Sequence, residues 1–211
     1  MSLTYSTLQT AILTISKRPT LTTEVVECIR RCEGRLRREL IAYELQATLA
    51  EVDRSSGGIY TAPAYCLQVQ DIFTTDALSR SYPLENVGRV NIRGLVATAP
   101  VLHFAHYQSV IEFRGVPATD QEMTVNYFGH PAPLATTDTN ALLDDHEGLY
   151  IAGALFELYS DYTEDLELAQ AQLDKFNHDI DELNKAIGRK LGGGVTAAAY
   201  NFGNVKMSGG Y

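Results

Sequence analysis

The stretch that decides the fold is NALLDDHEGLYIAGALFELY, residues 140–159. Asp138, Thr139 and Asn140 stand where a side-chain oxygen can accept from the free amides of a starting helix. Small and large apolar residues then crowd together: Gly148, Ala152, Gly153 and Ala154 among Leu149, Leu155, Phe156 and Tyr159. Small residues let helix axes approach, and large ones fill the space beside them. The pattern predicts a helix packed inside a bundle.

On the C-terminal side, after a break at Tyr159–Tyr162, Leu166, Ala169, Leu173, Phe176, Ile180, Leu183, Ile187 and Leu191 recur at helical spacing. This is an apolar seam of about three heptads. Acids crowd its start and Lys185, Arg189 and Lys190 its finish, as the helix dipole prefers. Gly192–Gly194 stop it. The remaining residues, 192–211, are rich in glycine and too poor in apolar content to fold alone. The tail is either a loose end or a segment that orders on a partner. Tyr200, Phe202, Met207 and Tyr211 favour the partner reading.

On the N-terminal side, residues 4–17 read as a helix through Leu8, Ile12 and Ile15, with Ser6 and Gln9 as a weak capping box. Pro19 separates it from a second helix that starts near Thr22 or Thr23. Val25, Ile29, Cys32, Leu36 and Leu40 line one face of that helix. Between the helical ends, IYTAPAYCLQVQDIF, VLHFAHYQSVIEFRG and EMTVNYF are rich in β-branched and aromatic residues. Leu67, Val69 and Ile72 mark strand structure, PLENVGRVNI a short helical turn, and the Gly-Val-Pro segment at 115–117 a hairpin connection. GHPAPLATTDT reads as a linker back to the helices. The expected class is α+β. Helices from residues 1–44 and 131–191 form a bundle, a mostly antiparallel β region spans 45–130, and an extended tail covers 192–211.

Composition narrows the function. The chain has 211 residues, 45% of them apolar, and a net charge of −9. A core is within reach, and no apolar run approaches a membrane span. The N-terminus lacks the pattern of a signal peptide, which points to a cytoplasm-like compartment. Such acidity argues against gripping nucleic acid through a large basic surface, but an acidic wall lets a duplex pass without sticking. Cys28, Cys32 and Cys66 make no zinc pattern and read as reduced thiols.

The chemical constellations are weak. Asp144, Asp145, His146 and Glu147 are consecutive, so on a helix they point in different directions and read as capping and solvated groups rather than as metal ligands. His103 and His106, three apart on a strand, face opposite sides. No nucleophile elbow occurs. No catalytic residue, cofactor or metal is expected, and an enzyme is not. Arg30, Arg31, Arg35, Arg37 and Arg38 are interleaved with Glu27, Glu33 and Glu39. They form a paired solvated face, a patch for an acidic neighbour, or a DNA contact; the last would make a regulatory or DNA-binding protein. Between 138 and 190 there are 13 acids against four bases. Acidic and basic surfaces on one chain can meet head to tail around a ring.

The order of these pieces resembles the head–tail adaptor (connector) proteins of tailed bacteriophages and prophages. The resemblance rests on TYSTLQTAILTIS, EGRLRRELIAYEL, IYTAPAYCLQVQDIF, YQSVIEFRGVP, VNYFGHPAPLA and NALLDDHEGLYIAGALFELYSDYTEDLELAQAQLDKFNHDIDELNKAI, and covers most of residues 4–190. Ala141 and Glu147 stand where related proteins commonly carry tryptophan or proline. The resemblance implies a structural virion protein, assembled in the host cytoplasm. It would form a ring, usually of twelve subunits, beneath the portal protein, extend the channel for double-stranded DNA, and offer a docking surface to tail, stopper or nozzle proteins. On that reading Arg30, Arg31, Arg35, Arg38, Leu149, Tyr150 and Phe156 are candidates for the subunit interface. Tyr200, Phe202, Met207 and Tyr211 are candidates for docking the portal. Glu164, Asp165, Glu167, Asp174 and Asp179 are candidates for the channel lining.

Overall fold

The computed structural model describes residues 3–49, 58–75, 81–92, 103–114 and 123–193. Among them it is an α+β protein, with seven helices and two four-stranded sheets.

The N-terminal pair is α1 (Tyr5–Ser16) and α2 (Thr22–Glu39). Thr4, not Ser6, caps α1. Its side chain accepts from the Thr7 amide, and the Thr7 hydroxyl accepts from the Thr4 amide, so two orphan donors are satisfied reciprocally. Leu8 and Ile12 are buried as expected, but Ile15 is exposed and Ser16 takes its place on the inner face. All five residues expected on the inner face of α2 are buried.

Strand β1 (Tyr43–Leu49) follows directly, then β2 (Ile59–Thr61) and β3 (Cys66–Thr75). In β3 Val69 and Ile72 are both buried although they are three apart, an odd spacing for a strand. A register shift between Val69 and Asp71 supplies the reason: the extra residue returns Ile72 to the face that Val69 occupies. Leu67 falls within an earlier register shift, between Cys66 and Gln68, and stays exposed. PLENVGRVNI contributes β5 (Glu85–Asn86), after β4 (Ser81–Pro83), and α3 (Gly88–Ile92).

Strands β6 (His103–Tyr107), β7 (Val110–Arg114) and β8 (Met123–Gly129) complete the β region. The tight hairpin is β6–β7, with Gln108 at φ 55 in its two-residue turn. The Gly-Val-Pro segment lies outside the described residues, and the strands on either side of it do not pair. β7 joins the sheet β2-β7-β6-β5, whereas β8 joins β1-β8-β3-β4. The expected hairpin there is therefore corrected to a crossing between sheets. Burial explains the crossing. Phe104, Ile111 and Phe113 from one sheet and Val69, Ile72, Met123, Val125 and Tyr127 from the other form a single apolar cluster, which two faces must close together.

The chain returns through α4 (Leu134–Thr137), inside what the sequence reads as a linker. The expected helix at 140–159 divides into α5 (Ala141–Asp145) and α6 (Glu147–Asp161) at His146, whose φ of −136° and ψ of 53° are not helical. α7 (Leu166–Gly193) ends the described chain. Its seam holds from Ala169 to Ile187, with Phe176 fully buried, but Leu166 is 71% exposed. Helices α1, α2, α6 and α7 enclose one core. Strand β8 connects the two cores, because successive side chains of a strand face opposite ways. Tyr127 enters the sandwich and Phe128 the helical bundle.

The small residues of α6 divide by role. A Cβ placed on Gly153 would lie 2.4 Å from Cys32 Sγ and 2.8 Å from Phe176 Cε2, so α2, α6 and α7 meet at that glycine. A Cβ on Gly148 would meet nothing within 4 Å, so the close approach expected at Gly148 is not made.

Candidate functional site

Helix α2 carries five arginines, of which Arg31 and Arg35 lie along the seam it shares with α6. Arg30 donates to Glu27 at 2.8 and 2.6 Å, one turn away on the same helix. Arg31 reaches both Glu27 and Asp161, tying α2 to the end of α6. Arg35 donates to Glu157 at 3.0 Å, lies 3.6 Å from Glu39, and stacks on Phe156 with 4.7 Å between guanidinium and ring centre. Hydrogen bonds from Arg30 and Arg31 hold Glu27 down to about 2. Arg38 is exposed, and Arg37 stacks on Tyr65 at 4.9 Å. Three of the five arginines are thus engaged by carboxylates of the same chain. Glu33 plays a different part: its carboxylate accepts the Leu134 amide at 2.8 Å and starts α4, while burial pushes its pKa up.

Within the single chain, Leu149 and Tyr150 lie on the inner face of α6. Both are buried in the helical core, and Asn140 Nδ2 donates to the Tyr150 hydroxyl at 3.1 Å. Phe156 is half-buried under Arg35. The channel-lining candidates Glu164, Asp165, Glu167 and Asp174 are exposed and Asp179 is half-exposed. Asp165 also caps α7, accepting the Leu168 amide at 3.2 Å. The portal candidates Tyr200, Phe202, Met207 and Tyr211 lie outside the described residues.

The 144–147 cluster is dispersed by the turn between α5 and α6. Asp145 accepts the Tyr43 hydroxyl at 2.6 Å, Asp144 accepts from Thr139, His146 meets the Tyr43 ring edge-on, and Glu147 begins α6. Among the described residues no group of three or more His, Cys, Asp or Glu side chains is placed to hold a metal. No helix among them is long and apolar enough to cross a membrane. Burial pushes the Cys28 thiol up to about 12 and Cys66 up to about 11, and Cys32 is raised as well.

The family model described as SU10 adaptor protein matches residues 3–198. This chain belongs to the SU10 adaptor family. Comparison with curated proteins finds no match. The adaptor is a structural protein of the phage head–tail junction, which works through contacts with other head and tail proteins.

Two residues of the adaptor carry more than the sequence signals. Asn184 accepts the Ile41 amide at 2.9 Å and donates to the Glu39 carbonyl at 2.9 Å, latching the end of α2 to α7. Asn140 caps α5 through Leu143 and also bonds Ala132 and Tyr150. The hint for Asn184 is a polar residue beside the apolar seam; for Asn140 it is the cap position alone.

Proposed function

We propose that this adaptor forms a ring, of twelve subunits by family resemblance, stacked below the portal. The ring lengthens the DNA conduit of the virion and presents a docking surface to tail, stopper or nozzle proteins. The match to the adaptor family over residues 3–198 carries the reading. The acids exposed along α7 are in keeping with a wall past which DNA slides, because like charge keeps phosphate from adhering. Residues 192–211, with Tyr200, Phe202, Met207 and Tyr211, are the proposed portal-docking element. Arg30 and Arg38 remain on the outer face of the subunit, where a neighbour can meet them.

The reading of α2 as a DNA-gripping helix is disfavoured by one observation. Arg30, Arg31 and Arg35 are already engaged by Glu27, Asp161 and Glu157. Few cations remain to release counterions from a duplex, so a gel shift at physiological salt is expected to show little binding.

Electron microscopy of the chain alone and mixed with its portal tests the proposal, the expected result being a ring seated on the portal. Deleting residues 192–211 is expected to abolish portal binding while circular dichroism reports a folded subunit; retained binding refutes the docking assignment. Particles that lack the chain yet keep their genome and acquire tails normally refute the function.

A further inference from the structure

The turn between α6 and α7 forms a firm, exposed knob. Tyr162, Leu166 and Leu168 are 38%, 71% and 45% exposed within seven residues. The Asp165 amide donates to the Tyr159 carbonyl at 3.1 Å, Thr163 bonds the same carbonyl, Asp165 caps α7, and Asp161 is tied to Arg31. Leu166 is the first position of the α7 seam. The seam therefore overhangs the cover its own bundle supplies, and an apolar stripe continues into solvent. Acids flank it: Asp161, Glu164, Asp165 and Glu167 fall between 161 and 167, with no base.

A complementary surface lies at the far end of α2. Arg37 stacks on Tyr65, which is 46% exposed, Arg38 is exposed beside it, and Ile41 is 49% exposed. Asn184 fixes this end against α7. Leu166 and Asn184 are 18 residues apart, about 27 Å along the helix. The two surfaces thus belong to different ends of one bundle and do not meet within a subunit. One is apolar and acidic, the other apolar and cationic.

We infer that the Tyr162/Leu166/Leu168 knob of one subunit docks on the Arg37/Arg38/Ile41/Tyr65 surface of a second copy of this chain, with Glu164 and Glu167 facing the guanidinium groups. The contact is heterologous, and repeated about an axis it closes a ring. This rests on the ring proposed above and names the surfaces that make it.

Two full-length variants test it, each at an exposed position: Leu166→Asp spoils the knob, and Arg38→Glu spoils its seat. Circular dichroism checks that both fold, and native mass spectrometry over a concentration series reads assembly. Wild type is expected to assemble. Leu166→Asp is expected to need roughly ten- to a hundredfold more protein, the effect of taking one leucine out of an interface, and Arg38→Glu, which sets a like charge against Glu164 and Glu167, at least about tenfold more. Mixed in equal amounts, the variants retain one good knob and one good seat between them, so a 1:1 heterodimer that grows no further is expected. Variants that assemble like wild type, a mixture without heterodimer, or wild type monomeric throughout overturns the proposed contact. Rings formed equally by wild type and both variants overturn the contact and leave the ring standing. The heterodimer together with a wild type that stops at a two-fold dimer overturns the ring and leaves the contact standing.

Discussion

Gly153→Ala isolates the physical basis of the bundle. The added Cβ sits 2.4 Å from Cys32 Sγ and 2.8 and 2.9 Å from two atoms of the Phe176 ring. Favourable carbon contacts lie near 3.5–4.0 Å, so the sulfur must retreat by roughly 1 Å or more and the ring by most of one. Both neighbours have 0% exposure, and neither has a free direction to move. Overpacking of this kind costs about 1–3 kcal/mol. Alanine returns up to about 1 kcal/mol as the better helix former. With two close contacts in place of one, the net expectation is a loss of about 1–2 kcal/mol, or a Tm lower by roughly 2–8 °C for a chain of this size. Gly188→Ala is the control. Its Cβ meets nothing within 4 Å in the same core-forming helix set, so it is expected to gain about 0.5–1 kcal/mol. Urea unfolding monitored by circular dichroism gives both values. A second test is the double variant Cys32→Ala/Gly153→Ala. Removing the sulfur vacates the space the new methyl needs, so the pair should be less destabilising than the sum of the singles. If Gly153→Ala is as stable as wild type, or the double variant is strictly additive, close approach at Gly153 does not hold the helices together.

Three further outcomes follow from the same geometry. Asn140→Ala removes the α5 cap and the partner of Tyr150, and is expected to cost about 1–3 kcal/mol by urea unfolding. Burial raises the Glu33 pKa, so the folded state holds its proton more tightly than the unfolded chain, and the stability from that proton is lost as pH rises through the raised value. Glu33→Gln keeps an acceptor for Leu134 without titrating, so its stability relative to wild type should improve from pH 4 to pH 7; a difference independent of pH contradicts this. With Cys28 raised to about 12 and Cys32 raised and fully buried, a thiol reagent at pH 8 should label these two only as fast as the protein unfolds. Rapid labelling of either in the native protein refutes the burial.

The sequence alone determined which residues share a face. Helical periodicity placed Val25, Ile29, Cys32, Leu36 and Leu40 together, and the α7 seam from Ala169 to Ile187. Residue type marked β2, β3, β6, β7 and β8 but not β1, β4 or β5, and the order of the pieces pointed to the adaptor family. These properties are local, set by the repeat of a helix or strand. What covers each face is not local, and only the tertiary structure decided it. The same apolar signal buries Ala169 and leaves Leu166 in solvent, because α6 ends before it. Leu149 and Tyr150 turn into the helical core, and Gly153 meets two helices while Gly148 meets none. β7 and β8, close in sequence, part into opposite sheets because their apolar faces are buried best against each other across the sandwich, not side by side within one sheet.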